Sequence, residues 1–246
     1  MKAIILCAGQ GRRLLPYTES TPKCLLQLAD KHFIEWQIDN LKLAGVDDIV
    51  AVIGYAAENI RSLLQQRYAD SVETVFNPFY EVADNLASCW MAREHLCEDL
   101  IILNGDTLFE VDIIHQLLDK NDFPITLAID HKASYDEDDM KVIKQHEQLL
   151  SVGKKLPLSK VNGESIGIMK FNPTGAHHFK TTIESLMHEQ SSLQLWYLSV
   201  IDQLAQQNLV GTCSIHGYQW TEVDFVQDLD AAQALVKQWQ FGSQDK

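Results

Sequence analysis

Two stretches of the sequence carry residue types that could act on phosphate. The first runs Cys7-Ala8-Gly9-Gln10-Gly11-Arg12-Arg13-Leu14-Leu15-Pro16-Tyr17-Thr18, with Pro22-Lys23 beyond it. Glycines at 9 and 11 let the backbone approach a ligand and turn N–H groups toward it, while Arg13 and Lys23 offer charge-assisted donors to phosphate oxygens. Two commoner nucleotide loops are excluded. A dinucleotide fingerprint needs a third glycine where Leu14 stands, and a P-loop needs Gly-Lys-Ser/Thr where this chain has Pro22-Lys23-Cys24. The second stretch is acidic. Asn104-Gly105-Asp106 ends an apolar run, and Trp220-Thr221-Glu222-Val223-Asp224 alternates so that a strand would send Glu222 and Asp224 to one face. Two such carboxylates repel unless a cation lies between them; a turn capped by Asp106 and a solvated strand face are the plainer readings.

The elements that must position these residues are legible from periodicity. Apolar runs of strand length alternate with segments of helical period up to about residue 130, the pattern of a mainly parallel sheet covered by helices. Strands are expected at Ala3 to Leu6, Ile49 to Ile53, Val72 to Phe76, Leu100 to Leu103 and Ile125 to Ile129. Helices are expected around Ile34–Leu41 (ended by Gly45), Ile60–Leu64, Leu86–Leu96 and Ile113–Leu118. From about 130 to 167 the text changes to short strands and polar turns, which reads as a small β-rich insertion beside the main sheet. A return strand at Ile166 to Phe171 follows, then helices around Phe179–Leu186 and Leu195–Leu204, strands at Val210–Ile215 and Trp220–Val223, and a closing helix over Leu229–Trp239. An aspartate at the carboxyl end of a buried parallel strand sits where open α/β sheets bind ligands, so Asp106 is placed to hold a metal.

The whole string Ala8-Gly9-x-Gly11-x-Arg13-Leu14-x-Pro16-x-Thr18 with Pro22-Lys23 resembles the signature of the sugar-phosphate nucleotidyltransferase superfamily. The resemblance implies an α/β fold, a single Rossmann-like nucleotidyltransferase domain over residues 1–246. It also implies a loop that wraps a nucleoside triphosphate, with Arg13 and Lys23 as the catalytic cations. Gly105-Asp106 is similar to the family's metal-binding pair, which implies Asp106 and Asp224 on Mg²⁺ and Glu222 at the acceptor. Arg12 departs from the usual threonine or serine, and Cys7 from a small apolar residue.

Several further strings look closest to the branch that makes CDP-alcohols, the bacterial phosphocholine cytidylyltransferases and their inositol-phosphate relatives. They are Asn77-Pro78-x-Tyr80, Asn85-x-x-Ser88, Asp138-Asp139-Met140-Lys141-Val142, Gly163-Glu164-x-Ile166-Gly167 and Glu222-Val223-Asp224. The hexose-1-phosphate branch carries a Gly-x-Trp-x-Asp-x-Gly string whose closing glycine is missing here. The expected substrates are therefore CTP and a small phosphorylated alcohol resembling phosphocholine. Asn85 and Ser88 could read the base or cap a helix. Lys141, Lys154, Glu164, Trp220 and Glu222 are acceptor candidates, and the lysines could equally be solvated.

Composition bounds the partners. A net charge of −14 leaves no basic stripe, which argues against nucleic acid and anionic membranes. Five scattered cysteines show no zinc spacing and suit a reducing compartment, and the glycines that interrupt the opening apolar run do not suit a signal peptide, so a cytoplasmic protein is expected. The sequence leaves a homodimer open. Two competing functions remain: a hexose-1-phosphate nucleotidyltransferase, and a non-catalytic nucleotide sensor of the same fold. The full set Arg13, Lys23, Asp106 and Asp224 speaks against the sensor, which needs no such charge neutralisation.

Overall fold

The first strand shows how the sheet is built. In β1 (Lys2–Cys7), the period of two sends Ile4 to one apolar layer and Ala3 and Ile5 to the other, and all three are buried. A computed structural model describes residues 1–242 of the chain. After β1 and the glycine-rich loop come a short hairpin, β2 (Gln27–Leu28) and β3 (Lys31–His32), then α1 (Phe33–Leu43), β4 (Asp48–Ile53), α2 (Ala57–Tyr68) and β5 (Val72–Phe76). Next are α3 (Asn85–Met91), β6 (Leu100–Asn104), β7 (Thr107–Phe109), α4 (Val111–Asp119) and β8 (Ile125–Asp130). The chain continues through β9 (Lys141–Gln145), β10 (Gln148–Gly153), β11 (Gly163–Phe171), α5 (Pro173–Leu186), α6 (Leu198–Ala205), β12 (Val210–Ser214), β13 (Trp220–Glu222) and α7 (Val226–Gly242).

The main sheet has nine strands in the order β5-β4-β1-β6-β11-β8-β12-β10-β9. Helices α1, α2 and α4 cover one face through Ile38, Ile60 and Ile113, and α3, α5 and α6 cover the other through Leu86, Phe179 and Ile201. A third apolar cluster joins Leu14, Phe33, Trp36, Leu108 and Val223 to Ala232 and Val236 of α7, and so closes the sheet's end over the glycine-rich loop.

The expected α/β fold is present, with two corrections. The sheet is mixed: β11 runs antiparallel between β6 and β8, where periodicity could not report direction. The predicted insertion is no separate annex either. β9 and β10 form a hairpin at the sheet's edge, and residues from Gly163 onward belong to the buried central strand β11. The helix expected over Leu86–Leu96 breaks into α3 and a 3₁₀ turn at Arg93–His95, and the one expected from Leu195 starts at Leu198.

Candidate active site

The glycine-rich loop follows β1 at the carboxyl end of the parallel strands. Gly11 has a φ of 79°, and a Cβ there would lie 2.8 Å from Lys23 Cβ, so glycine is what lets Lys23 cross beneath the loop. Thr18 Oγ1 donates to the Gly11 carbonyl at 2.8 Å, and Gln10 Nε2 donates to the Thr18 carbonyl at 3.1 Å. These bonds hold the loop's curve. Ala8 is buried, and its carbonyl accepts from Tyr55 N at 2.9 Å. Gly105 packs against β1 so closely that a Cβ would meet the Leu6 carbonyl at 2.6 Å, which draws Asp106 in toward the loop.

Asp224 reaches the same place by a different route. β13 pairs antiparallel with β7, Glu222 opposite Thr107, and Val223 N continues the ladder by donating to the Asp106 carbonyl at 3.0 Å. The ladder sets Asp224 beside Asp106, although 118 positions separate them in sequence. Asp228 Oδ2 then accepts from the backbone N–H groups of Asp224 and Phe225 at 2.9 and 2.7 Å, which fixes the turn into α7.

Lys23 joins the two carboxylates. Its Nζ donates to Asp106 Oδ2 at 3.0 Å and to Asp224 Oδ1 at 2.7 Å. Burial alone would pull the Lys23 ammonium down, but the adjacent Asp106 and Asp224 outweigh it and hold it above its ordinary value. Burial would likewise push Asp224 up, yet Lys23 and Arg13 hold it below. Glu222 shifts the other way: burial first, and then Asp106 and Asp224, outweigh the opposing charge of Lys23 and raise its carboxyl to about 8. Asp106 Oδ1 is buried with no hydrogen-bond partner among the described residues. An acceptor-only oxygen in that state, on a carboxylate that shares Lys23 with Asp224, fits a cation. No group of three or more His, Cys, Asp or Glu side chains gathers among the described residues. The chain thus offers two hard oxygen ligands, as suits an ion whose remaining ligands are water and substrate phosphate.

Two cavities meet at this triad. One, of about 330 Å³, is lined by Gly9, Gly11, Arg12, Arg13, Lys23 and Asp106, and lies under the glycine-rich loop. The other, of about 130 Å³, is lined on its polar side by Asn85, Asn104, Asp106, Lys154, Glu222 and Asp224. Arg13 stands at the rim, 3.5 Å from Asp224 and 3.6 Å from Asp138, with its guanidinium over the Phe225 ring. Lys154 lies 3.7 Å from Asp138 on the opposite side.

The structure therefore brings together Gly9, Gly11, Arg13, Lys23, Gly105, Asp106, Lys154, Glu222 and Asp224. Four other candidates are engaged elsewhere, and a fifth, Asn85, lines the smaller cavity while its side chain is tied to the backbone. Lys141 is buried, and its ammonium donates to the carbonyls of Asp139 and Lys154, so it shapes a turn. Glu164 is buried against Lys132 at 2.8 Å, and Trp220 donates through Nε1 to Asp130 at 2.7 Å; neither lines the cavities at the triad. Ser88 is buried, its hydroxyl accepting from Asn77 at 3.0 Å. Asn85 Oδ1 accepts from Tyr197 N at 3.0 Å and faces the smaller cavity. Sequence reasoning missed Asn104, Asp138 and Asp228. Asn104 and Asp138 stood in strings already singled out, next to Gly105-Asp106 and at the head of Asp138-Asp139-Met140-Lys141-Val142, and Asp228 is an acidic residue in the first turn of a helix.

The MobA-like NTP transferase domain model matches residues 3–138, more than half of the chain. The chain belongs to that family. Choline-phosphate cytidylyltransferase of Streptococcus pneumoniae is 42% identical over 110 residues, a stretch covering 45% of this chain and 47% of that enzyme. CTP:phosphoglutamine cytidylyltransferase of Campylobacter jejuni is 25% identical over 252 residues, covering 94% of this chain and 98% of the relative. The structure of the inositol-1-phosphate CTP transferase from T. maritima superposes with a TM-score of 0.82 at 19% identity, covering 96% of each chain, which shows a shared nucleotidyltransferase fold. The family match ends at residue 138, so Lys154, Glu222 and Asp224 lie beyond it.

Proposed function

We propose that this nucleotidyltransferase is a cytidylyltransferase: with Mg²⁺ it moves the cytidylyl group of CTP to a small phosphorylated alcohol, releasing pyrophosphate. The observation that carries the reading is the Lys23 ammonium held between Asp106 and Asp224 where the two cavities meet. The relatives named above act on CTP and on a phosphorylated choline, glutamine or inositol; all three support the nucleotide, and the choline and inositol enzymes support a phosphorylated alcohol as acceptor.

The chemistry follows from charge. An oxygen of the acceptor phosphate attacks the α-phosphorus, a P–O bond forms, and the bond to the β-phosphate oxygen breaks. The nucleophile is already ionised and needs no general base. Two anions must approach, and their repulsion is the barrier to remove. In this reading the backbone at Gly9 and Gly11, with Arg13, holds the triphosphate; Lys23 meets the charge that grows on the pyrophosphate; and Lys154 receives the acceptor phosphate. Asp106 and Asp224 would hold Mg²⁺, which when bound neutralises the phosphates as they meet.

The test is an acceptor-dependent pyrophosphate-release screen with Mg²⁺, crossing CTP, UTP and dTTP with phosphocholine, phosphoethanolamine, inositol phosphate and hexose 1-phosphates. Turnover with CTP and a phosphorylated alcohol is the expected result. Turnover confined to a hexose 1-phosphate with UTP or dTTP would replace this reading by the sugar-nucleotide one, and nucleotide binding without any turnover would favour a sensor.

A further inference from the structure

The smaller cavity at the triad does not end there. It shares Met140, Lys154, Trp196 and Leu198 with a third cavity of about 610 Å³, which extends away from Asp106 and Asp224 between β10 and α6. The two differ in character. The slot at the triad is narrow and rich in carboxylates. The larger chamber has apolar walls, Met140, Val152, Trp196 and Leu198, with Glu137 and Lys155 at positions the slot does not reach. Its walls are tied together: Asp202 of α6 accepts from Ser151 Oγ at 2.7 Å and from Val152 N at 2.8 Å. A chamber held open by its own hydrogen bonds costs little to fill.

The junction carries a further constraint. The Lys154 ammonium stands 4.9 Å from the centroid of the Trp196 ring, so one face of that ring already carries a cation of the chain's own. That face is not free for a quaternary ammonium, and the head group of phosphocholine would fill only part of the chamber.

We infer that the acceptor is an elongated phosphomonoester: its phosphate lies in the slot beside Lys154, and an apolar middle runs past Trp196 into the chamber, where a polar end meets Glu137 and Lys155. This rests on the cytidylyl-transfer reading for the phosphate end and adds the size and character of the other end.

The experiment compares 2-aminoethyl, 4-aminobutyl and 6-aminohexyl phosphate as acceptors with CTP and Mg²⁺. Burying a methylene is worth roughly fourfold, so kcat/KM should rise at least tenfold from the two-carbon to the six-carbon acceptor. Ser199 lines the chamber and not the slot; Ser199→Trp should abolish the length dependence, with circular dichroism and Tm reporting whether the variant is folded. A flat series in the wild type would overturn the inference, as would a rise that persists in folded Ser199→Trp. If that variant does not fold, the wild-type series decides alone. Calorimetric binding of the three acceptors separates the two readings: binding that tightens with length while none of the three turns over keeps the chamber and overturns the reaction, and turnover of 2-aminoethyl phosphate without binding or turnover of 6-aminohexyl phosphate keeps the reaction and overturns the chamber.

Discussion

Lys23 is where most of the site's charge converges. Its ammonium offsets two carboxylates, so removing it leaves them facing each other, and we expect Lys23→Met to lower Tm. Added Mg²⁺ should recover much of that loss in the variant; a Tm that ignores Mg²⁺ would count against a cation site at Asp106 and Asp224. Asp106→Asn and Asp224→Asn should each lower kcat by several orders of magnitude, because each removes a hard ligand, and full activity in both would end the metal assignment. Glu222 gives a pH signature. Its folded carboxyl is raised from an ordinary 4.5 to about 8, so the folded protein binds a proton that the unfolded chain has released, and stability falls as pH climbs through that window. Glu222→Gln should flatten this fall in chemical-denaturation profiles taken from pH 5 to 9 without Mg²⁺. An unchanged slope would show that the group ionises normally.

At the scale of elements, the site depends on a two-stranded ladder only three residues long. The bonds at Val223 and at Gln219 bracket Thr221, and the alternation of an antiparallel ladder makes Thr221 a hydrogen-bonded position opposite Leu108. Thr221→Pro removes that donor and frees Asp224 from its register. We expect a folded protein with activity as low as that of Asp224→Asn; wild-type turnover would mean that the ladder does not position the carboxylate. Asp228 is the second support. Asp228→Ala deletes two bonds at the start of α7 and should cost about 1 kcal/mol of stability and roughly tenfold in kcat, to be read from urea unfolding and steady-state kinetics. The periodic elements were legible because each buries a stripe or an alternating face; Ile34, Ile38 and Leu41 of α1 do so. The three-residue strand β7 was not, because Thr107–Phe109 is too short to show a period and exists only through its pairing with β13.

For the whole molecule, the sheet makes one surface from distant segments. Strands β1 and β6 are neighbours and deliver the glycine-rich loop and Asp106 to the same end, while the hairpin β9–β10 carries Lys154 to the far side of the cleft. The net charge of −14 surrounds this small cationic group. Long-range repulsion of a triphosphate is screened by salt, so the association rate of CTP measured by stopped flow should rise between about 10 and 150 mM salt. A steep fall would show that the local cations dominate the approach. No helix among the described residues is long and apolar enough to cross a membrane.

By itself the sequence determined the α/β class, the order of the longer periodic elements, and the cations and carboxylates that now surround one cleft. These are local properties: a periodicity, a glycine-rich turn, a residue type at the end of an apolar run. The tertiary structure alone decided that β11 runs against its neighbours, that Lys23 stands between Asp106 and Asp224, and that Lys141, Glu164 and Trp220 are engaged elsewhere. Strand direction, ion pairing and the partner of a buried polar group are set by which distant segments meet, and pairing across a sheet leaves no trace in the spacing of residues along one strand.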